Sequence, residues 1–324
     1  METKEKDILI KDALKEIEKK FGKESIMLLG NEENLEIETF SSGSYKLNKI
    51  LGIKGFPKGR IIEIYGPESS GKTTIALHTI SEVQKNGGIA AFIDAEHSID
   101  PVYCKNIGVD IDNLILSQPD SGEQGLEIVD ILAKNGNIDL IVVDSVAALV
   151  PEAELNGDMT DQQIGAQARM MSKALRKITG NLNKNKTTVI FINQIREKVG
   201  VIFGNPETTA GGKALKFYSS IRLEVRKSTN LVEDKSVVGN LIKLKVVKNK
   251  LAAPYTTAET EIVFAKGIDK VSELIDLAQE QGLILKKGAW LQYKDKSVMG
   301  KKAFRDLLEQ DSELLKELES EILT

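Results

Sequence analysis

The sequence predicts an α/β fold: a mostly parallel sheet with helices on both faces and an antiparallel extension, with an N-terminal helix before it and a small α+β unit after it. Between residues 61 and 192, short apolar runs each leave into a glycine or a polar residue, and helical stretches separate them. After residue 218 strand-like alternation continues without helices between the strands. Unbroken apolar runs are what parallel strands buried on both faces look like, and the intervening helices are what bury them. With 324 residues and 41% hydrophobic content, the chain can fill one sizeable core and smaller flanking units.

Taken in order, Ile8, Ile10, Ala13, Leu14, Ile17 and Phe21 recur at near-helical spacing and stop at Gly22, which predicts an amphipathic helix over residues 3–21 with a glycine C-cap. Its apolar stripe needs a cover, either this chain's core or a neighbouring subunit. The predicted parallel strands are Ile61 to Tyr65, Ile89 to Ile93, Leu140 to Val143 and Val189 to Ile192, exiting into Gly66, Asp94, Asp144 and Asn193. The helices between them are Lys72 to Lys85, Gly122 to Lys134 and Asp161 to Leu182. Ligands of such sheets bind beyond the carboxyl ends of the strands, so the polar exits should converge on one crevice. Ile221, Leu223 and Val225, then Leu241 to Val247 and Glu261 to Ala265, predict the antiparallel extension. A helix over Val271 to Gln281, a segment around Gly288, Trp290 and Tyr293, and a final helix or two complete the terminal unit. The boundaries expected are residues 1–33, 34–268 and 269–324.

Charge narrows the function. A net charge of -4 excludes binding to DNA through an overall basic surface, so any nucleic-acid site must be local. Glu309, Asp311, Glu313, Glu317, Glu319 and Glu321 crowd the carboxyl end and read as a solvated helix face. The single cysteine, Cys104, has no intramolecular partner for a disulfide. No signal-peptide pattern opens the chain, and no apolar run approaches the roughly 18 residues of a membrane span, so a cytoplasmic protein is expected. His78 and His97 have no companions at metal-ligand spacing and are assigned no metal.

The chemistry lies at the strand exits. Gly66, Pro67, Glu68, Ser69, Ser70, Gly71, Lys72 and Thr73 form the G-x-x-x-x-G-K-[ST] string, between a strand and a helix, where a phosphate loop belongs. Its backbone N–H groups and helix N-terminus can wrap phosphates, Lys72 adds a point charge, and Thr73 offers an oxygen to Mg²⁺. Asp144 ends an apolar strand and can stand behind that Mg²⁺. Glu96 exits a neighbouring strand and can orient or deprotonate an attacking water, as could Asp94. The chain thus reads as a P-loop nucleoside triphosphatase.

Longer strings carry more. GPESSGKTT at Gly66 to Thr74, AFIDAEH at Ala91 to His97, IVVDSVAA at Ile141 to Ala148, FINQIR at Phe191 to Arg196, FGNPETT at Phe203 to Thr209 and KVVKNK at Lys245 to Lys250 closely resemble the bacterial RecA recombinase family, in one register over about residues 1 to 300. The resemblance implies a RecA-type core and an ATPase that forms helical filaments on single-stranded DNA and pairs it with double-stranded DNA. ATP and Mg²⁺ would sit between subunits, with a further binding role toward an SOS repressor. It implies Glu96 as the catalytic carboxylate, Asp100 and Tyr103 at the adenine, and Gln194 as sensor of the γ-phosphate, with Lys72, Thr73 and Thr74 in the ATP site. By spacing alone, Tyr103 could equally be ordinary helix packing.

By the same resemblance the DNA-facing loops are about Glu154 to Ile164 and Ile195 to Thr209. The second is so poor in core residues that a mobile loop is expected, and each precedes a possible helix start, at Gly165–Ala166 and Gly211–Gly212. Candidate DNA contacts are Ile164, Gly165, Arg169, Ser172, Arg176, Arg196, Lys198, Val199, Thr208, Gly211, Gly212 and Lys213. Arg169 and Arg176 could also be the wet face of an amphipathic helix. Lys248 and Lys250 resemble residues that reach the neighbouring subunit's γ-phosphate, and Phe217 resembles an interface switch. Without the resemblance, Lys243, Lys245, Lys248 and Lys250 read as a solvated strand face. The chain departs from the family pattern at Ile164, at Glu197 inside the second loop, and at Lys213, which offsets that charge.

Two other classes share parts of the pattern. A hexameric helicase of related core would keep the phosphate loop and carboxylates, and a nucleotide-switched scaffold would need neither Glu96 nor Gln194. The N-terminal helix and the Phe203 to Gly212 string favour the recombinase.

Overall fold

The computed structural model describes residues 2–22, 25–26, 37–158, 163, 165–197, 204, 206–233 and 235–323, and the first helix's side chains at Lys6 and from Ile8 onward. The chain divides into two compact units, Met1–Glu38 and Thr39–Thr324. The first contains α1 (Glu2–Phe21). Gly22 ends it at φ 98°, with its N–H donating to the Glu18 carbonyl at 2.9 Å, a left-handed cap that glycine adopts without steric cost.

The second unit opens with β1 (Thr39–Phe40), α2 (Tyr45–Leu51) and β2 (Phe56–Pro57). Its centre follows as β3 (Ile61–Gly66), α3 (Lys72–Lys85), β4 (Ala90–Asp94), α4 (Pro101–Ile107), β5 (Ile115–Ser117), α5 (Gly122–Asn135), β6 (Leu140–Asp144), α6 (Glu152–Leu155), α7 (Ala166–Asn185) and β7 (Thr188–Glu197). Then come β8 (Glu207–Thr209), α8 (Ala214–Tyr218), β9 (Ile221–Glu233), β10 (Ser236–Asn249), β11 (Thr257–Val263) and β12 (Gly267–Ile268). The order across the central sheet is β12-β11-β10-β9-β3-β7-β6-β4-β5, with β8 added to β7 off that path. From β9 to β5 the pairings are parallel, and from β9 to β12 they are antiparallel. The antiparallel extension therefore starts at the β9–β10 hairpin.

Alternate residues of the same strands feed two cores. Ile62, Ile64, Phe92, Leu140, Val142 and Ile192 pack on one face under α3, and Ile61, Ile93, Ile141, Val143 and Phe191 pack on the other under α5 and α7. Because the strands are parallel and in register, Gly66 opposite Gln194 and Asp94 opposite Asp144, their polar exits share one edge of the sheet.

The carboxyl end forms α9 (Lys270–Glu280), a three-stranded sheet of β13 (Leu285–Lys287), β14 (Trp290–Tyr293) and β15 (Lys296–Met299), then α10 (Lys301–Gln310) and α11 (Ser312–Leu323) around a third core that includes Ile275, Leu291, Phe304 and Leu318. The acidic stretch is not simply a solvated face. Glu319 accepts a hydrogen bond from the Tyr45 hydroxyl at 2.5 Å, and Glu317 and Glu321 pair with Lys294. Long side chains at helical spacing reached partners on other elements that periodicity could not reveal.

Candidate functional site

At the end of β3 the chain turns tightly into the phosphate loop. A Cβ at Gly66 would lie 2.0 Å from the Val225 carbonyl oxygen, so the loop can leave the sheet here only as glycine. Gly71 precedes α3 at φ 93°, again a glycine conformation. The N-terminus of α3 therefore opens onto the sheet edge. Pro67, Glu68 and Ser69 are exposed, while Ser70, Lys72 and Thr74 are buried. Ser70 Oγ is covered and has no hydrogen-bond partner among the described residues. Lys72 Nζ donates to the Pro67 carbonyl at 2.7 Å, and burial holds its pKa below the ordinary lysine value against the pull of Asp144, Glu96 and Glu68.

The carboxylates divide by environment. Thr73 Oγ1 donates to Asp144 Oδ2 at 2.6 Å. Burial first, and then the charges of Glu96 and Asp94, push Asp144 up to about 6, against the Thr73 hydrogen bond and Lys72. A cation beside Thr73 would relieve that crowding of negative charge. Asp94 is fully buried and already engaged, accepting from the Ser98 and Ile99 N–H groups at 3.1 and 3.3 Å and from Gln118 at 3.0 Å. Glu96 is exposed at the rim, where it accepts hydrogen bonds from the Ser145 hydroxyl and, at 2.9 Å, from Gln194 Nε2. Of the two acidic candidates, Glu96 faces the crevice and Asp94 holds the turn that presents it.

Beside the phosphate loop lies a cleft of about 340 Å³, with Ser69 to Thr74 on one side, Tyr103 on another, and Asn240, Ile242, Ile262, Phe264 and Ala265 closing it. Tyr103 shares a 2.9 Å hydrogen bond with Thr74. Asp100 is not part of this lining; it caps α4, its carboxylate accepting from the Val102 N–H at 2.8 Å. The wall from β10 to Ala265 carries no motif and lies far along the chain from the phosphate loop. Sequence reasoning had no signal for it beyond the strand pattern.

Above the same sheet edge, α7 starts after Gly165 (φ 73°) and buries Met171, Leu175, Ile178 and Leu182. Arg169 and Arg176 are exposed on its other face, with Ser172 partly covered. The mobile loop expected from Ile195 needs correcting at its ends. β7 continues to Glu197 and pairs with β8, setting Ile195 opposite Thr209, Arg196 opposite Thr208 and Glu197 opposite Glu207. Cross-strand hydrogen bonds and ion pairing of Glu207 with Arg226 supply the order that an apolar core does not. Thr208 Oγ1 accepts from Lys216 at 3.3 Å. Gln194 thus lies within a strand that leads into the ladder.

The helix expected at Gly211–Gly212 begins instead at Ala214 and runs five residues, with exposed Lys213 before it. The two glycines serve close approach, since a Cβ on Gly211 would meet Val146 at 2.8 Å and one on Gly212 would meet Ala168 at 2.7 Å. Gln167 ties this turn to the segment after β6, accepting from the Gly211 N–H at 3.2 Å and donating to the Val146 and Leu149 carbonyls at 2.9 and 3.1 Å. Ile164, Lys198 and Val199 lie outside the described residues.

Lys248 and Lys250 do not continue a wet strand face. A bulge between Val246 and Lys248 breaks the alternation. Lys248 then donates to the Lys216 and Phe217 carbonyls at 2.7 and 3.1 Å, and Lys250 to the Phe217 carbonyl at 3.2 Å. Both ammonium groups gather at the end of α8, where the Phe217 side chain stands 69% exposed.

No helix among the described residues is long and apolar enough to cross a membrane. Residues 8–269 match the RecA N-terminal domain and residues 272–324 the RecA C-terminal domain. The chain is 67% identical to Protein RecA of Mycoplasmopsis pulmonis over 315 residues, covering 97% of this chain and 93% of that one. It is 68% identical to Protein RecA of Mycoplasma mobile, covering 97% and 96%, and 57% identical to Protein RecA of Bacillus licheniformis, covering 96% and 89%. The chain belongs to the RecA family, the DNA-dependent ATPases that form filaments on DNA and carry out recombination and repair.

Proposed function

We propose that the nucleotide is ATP with Mg²⁺, bound by the loop Gly66 to Thr74, and that its hydrolysis controls the grip of the filament on single-stranded DNA while a duplex is tested for pairing. The observation that carries this reading is the hydrogen bond from Gln194 to Glu96, which joins the rim carboxylate to the strand leading into the β7–β8 ladder. The residues present suit the cation: the Thr73 hydroxyl offers an oxygen and Asp144 stands behind it. Bound there, Mg²⁺ would neutralise phosphate charge.

This chain's own groups do the rest. Backbone N–H groups of the loop and Lys72 hold the phosphates, and Ser70 supplies an unused hydroxyl. Glu96 orients a water toward the terminal phosphate and takes its proton, and Gln194 exchanges its contact with Glu96 for one with that phosphate. Tyr103 packs on the adenine, with Asp100 near it. Lys248, Lys250 and Phe217, gathered on one face, reach the ATP of the next subunit. Ile164, Gly165, Arg169, Ser172, Arg176, Arg196, Lys198, Val199, Thr208, Gly211, Gly212 and Lys213 form the DNA-facing surface, which holds backbone phosphates and leaves sequence to be read by base pairing. The protein works in the cytoplasm and assists self-cleavage of an SOS repressor.

Lys72→Ala is expected to abolish nucleotide-dependent binding to single-stranded DNA, measured by fluorescence anisotropy. Glu96→Gln should bind ATP and remain locked on DNA while hydrolysis falls by about 10² or more. Normal hydrolysis by Glu96→Gln would overturn the assignment.

A further inference from the structure

A carboxylate lies buried in the middle of the central sheet, outside the lining of the phosphate cleft. Glu63 of β3 is fully enclosed between β7 and β9, and both of its oxygens are engaged. Oε2 accepts from Arg222 Nε at 2.5 Å, and Oε1 accepts from Asn193 Nδ2 at 3.0 Å. A buried ion pair adds little net stability, because apolar side chains of similar volume in its place are often as stable or more so. Stability alone does not account for the pair, and its two ends lead to functional places.

One end is the face where Lys248, Lys250 and Phe217 gather. Arg222 is the β9 partner of Lys248 in the β9–β10 ladder. Burial first, and then the charges of Lys250 and Arg222, hold the Lys248 pKa below the ordinary lysine value against the pull of Glu63. Lys248 and Arg222 therefore feel each other's charge. The Arg222 guanidinium also lies 4.5 Å from the centre of the Tyr65 ring, one residue before the phosphate loop.

The other end is Gln194. Asn193 is fully buried, and its Oδ1 accepts from the Gln194 N–H at 2.9 Å. Its Nδ2, besides reaching Glu63, donates to the Ala210 carbonyl at 3.1 Å. Ala210 joins the β8 end of the second loop to the tightly packed Gly211–Gly212 turn. One amide thus ties Glu63, the backbone of Gln194 and the end of that loop together.

We propose that Arg222, Glu63 and Asn193 are positioning residues that form a relay inside each subunit. It connects the face turned to the next subunit's ATP with Gln194 and the second loop at the subunit's own ATP, and it rests on the nucleotide reading above. Water does not compete in this interior, so a displacement at either end passes through groups that have no other partner. When phosphate oxygens draw Lys248 away from the Phe217 carbonyl, the charge beside Arg222 changes. Arg222 shifts against Glu63, and Asn193 carries the shift to Gln194 and Ala210. Successive ATP sites along a filament then respond together.

The test measures hydrolysis against ATP concentration, with and without single-stranded DNA. It compares the wild type, the paired variant Glu63→Leu with Arg222→Met, Asn193→Ala, and the triple variant. The paired variant replaces the ion pair by apolar side chains of similar volume, and Tm reads whether each variant folds. The wild type should respond steeply to ATP, with a Hill coefficient above one, and be strongly stimulated by DNA. In the paired variant and in Asn193→Ala the Hill coefficient should fall toward one and stimulation should drop by about tenfold, with DNA-free hydrolysis unchanged. The triple variant should lose no more than either, as members of one chain do. If the paired variant does not fold, Asn193→Ala decides alone. A Hill coefficient and stimulation kept at wild-type values overturn the relay, as do losses that add in the triple variant. DNA-free hydrolysis falling in the same proportion also overturns it, by making these residues supports of the chemistry alone. A wild type that DNA does not stimulate would instead remove the nucleotide reading itself.

Discussion

At the residue scale, burial decides which polar groups are structural and which face the chemistry. Asp94 is enclosed and saturated with donors, and Glu96, two residues on, stands at the rim. His78 is the enclosed case with a measurable consequence. Its Nε2 accepts the Ile268 N–H at 2.8 Å, and burial, with Lys270 and Lys85 nearby, lowers its pKa to about 3 against the opposing pull of Glu82. The unfolded chain takes up a proton below the ordinary histidine value near 6.5, and the native state cannot, so stability is lost as pH falls from there toward 3. At pH 5 the loss from this one group is about 2 kcal/mol. Urea unfolding at pH 7 and pH 5 should therefore show a wild-type decrease about 2 kcal/mol larger than in His78→Gln, which keeps an acceptor but does not titrate. Equal decreases would contradict the assignment. At Gly66 the constraint is steric: Gly66→Ala should separate β3 from β9 and lower stability by about 2 kcal/mol or more, read from the urea midpoint.

At the scale of elements, β3, β4, β6, β7 and α3, α5 and α9 were legible because unbroken apolar runs and 3.6-residue periodicity are strong signals, whereas the three-residue β5 was not, and β9, expected in the antiparallel extension, pairs parallel with β3. The β7–β8 ladder was not. It is built from Ile195, Arg196 and Glu197 against Glu207, Thr208 and Thr209, polar residues stabilised by backbone pairing and the Arg226 ion pair. The β13–β15 sheet was legible only as the β part of an α+β unit around Trp290 and Tyr293, and its strands could not be bounded because each is three or four residues long. Polar contacts between distant elements were also invisible. Glu273 of α9 is buried and accepts from the Ser44 hydroxyl at 2.6 Å, the Tyr45 N–H at 2.7 Å and the Thr260 hydroxyl at 2.5 Å, joining α9 to α2 and β11. Glu273→Leu leaves these donors unsatisfied and should cost about 3 kcal/mol, seen as a fall in Tm, whereas Glu273→Gln should cost less.

At the scale of the whole molecule, the sequence carried the phosphate loop and both acidic strand exits, because a phosphate site needs fixed residue types at fixed spacing, and it pointed to Gln194 through the family resemblance. It could not carry the wall formed by Asn240, Ile262 and Phe264, which reaches the cleft only through the strand order β11-β10-β9-β3. One sheet edge gathers the phosphate loop, Glu96 and the strand entering the second loop, so the proposed hydrolysis and DNA contact would share a scaffold. The central claim is that these two events are coupled through Gln194. The most direct test is ATP hydrolysis by the wild type and Gln194→Ala, with and without single-stranded DNA, each sample imaged for filaments. Strong stimulation by DNA and helical filaments in the wild type, with stimulation lost in a Gln194→Ala protein that still binds ATP, is the predicted result. Equal stimulation in both proteins, or DNA-independent hydrolysis by closed rings, would contradict it.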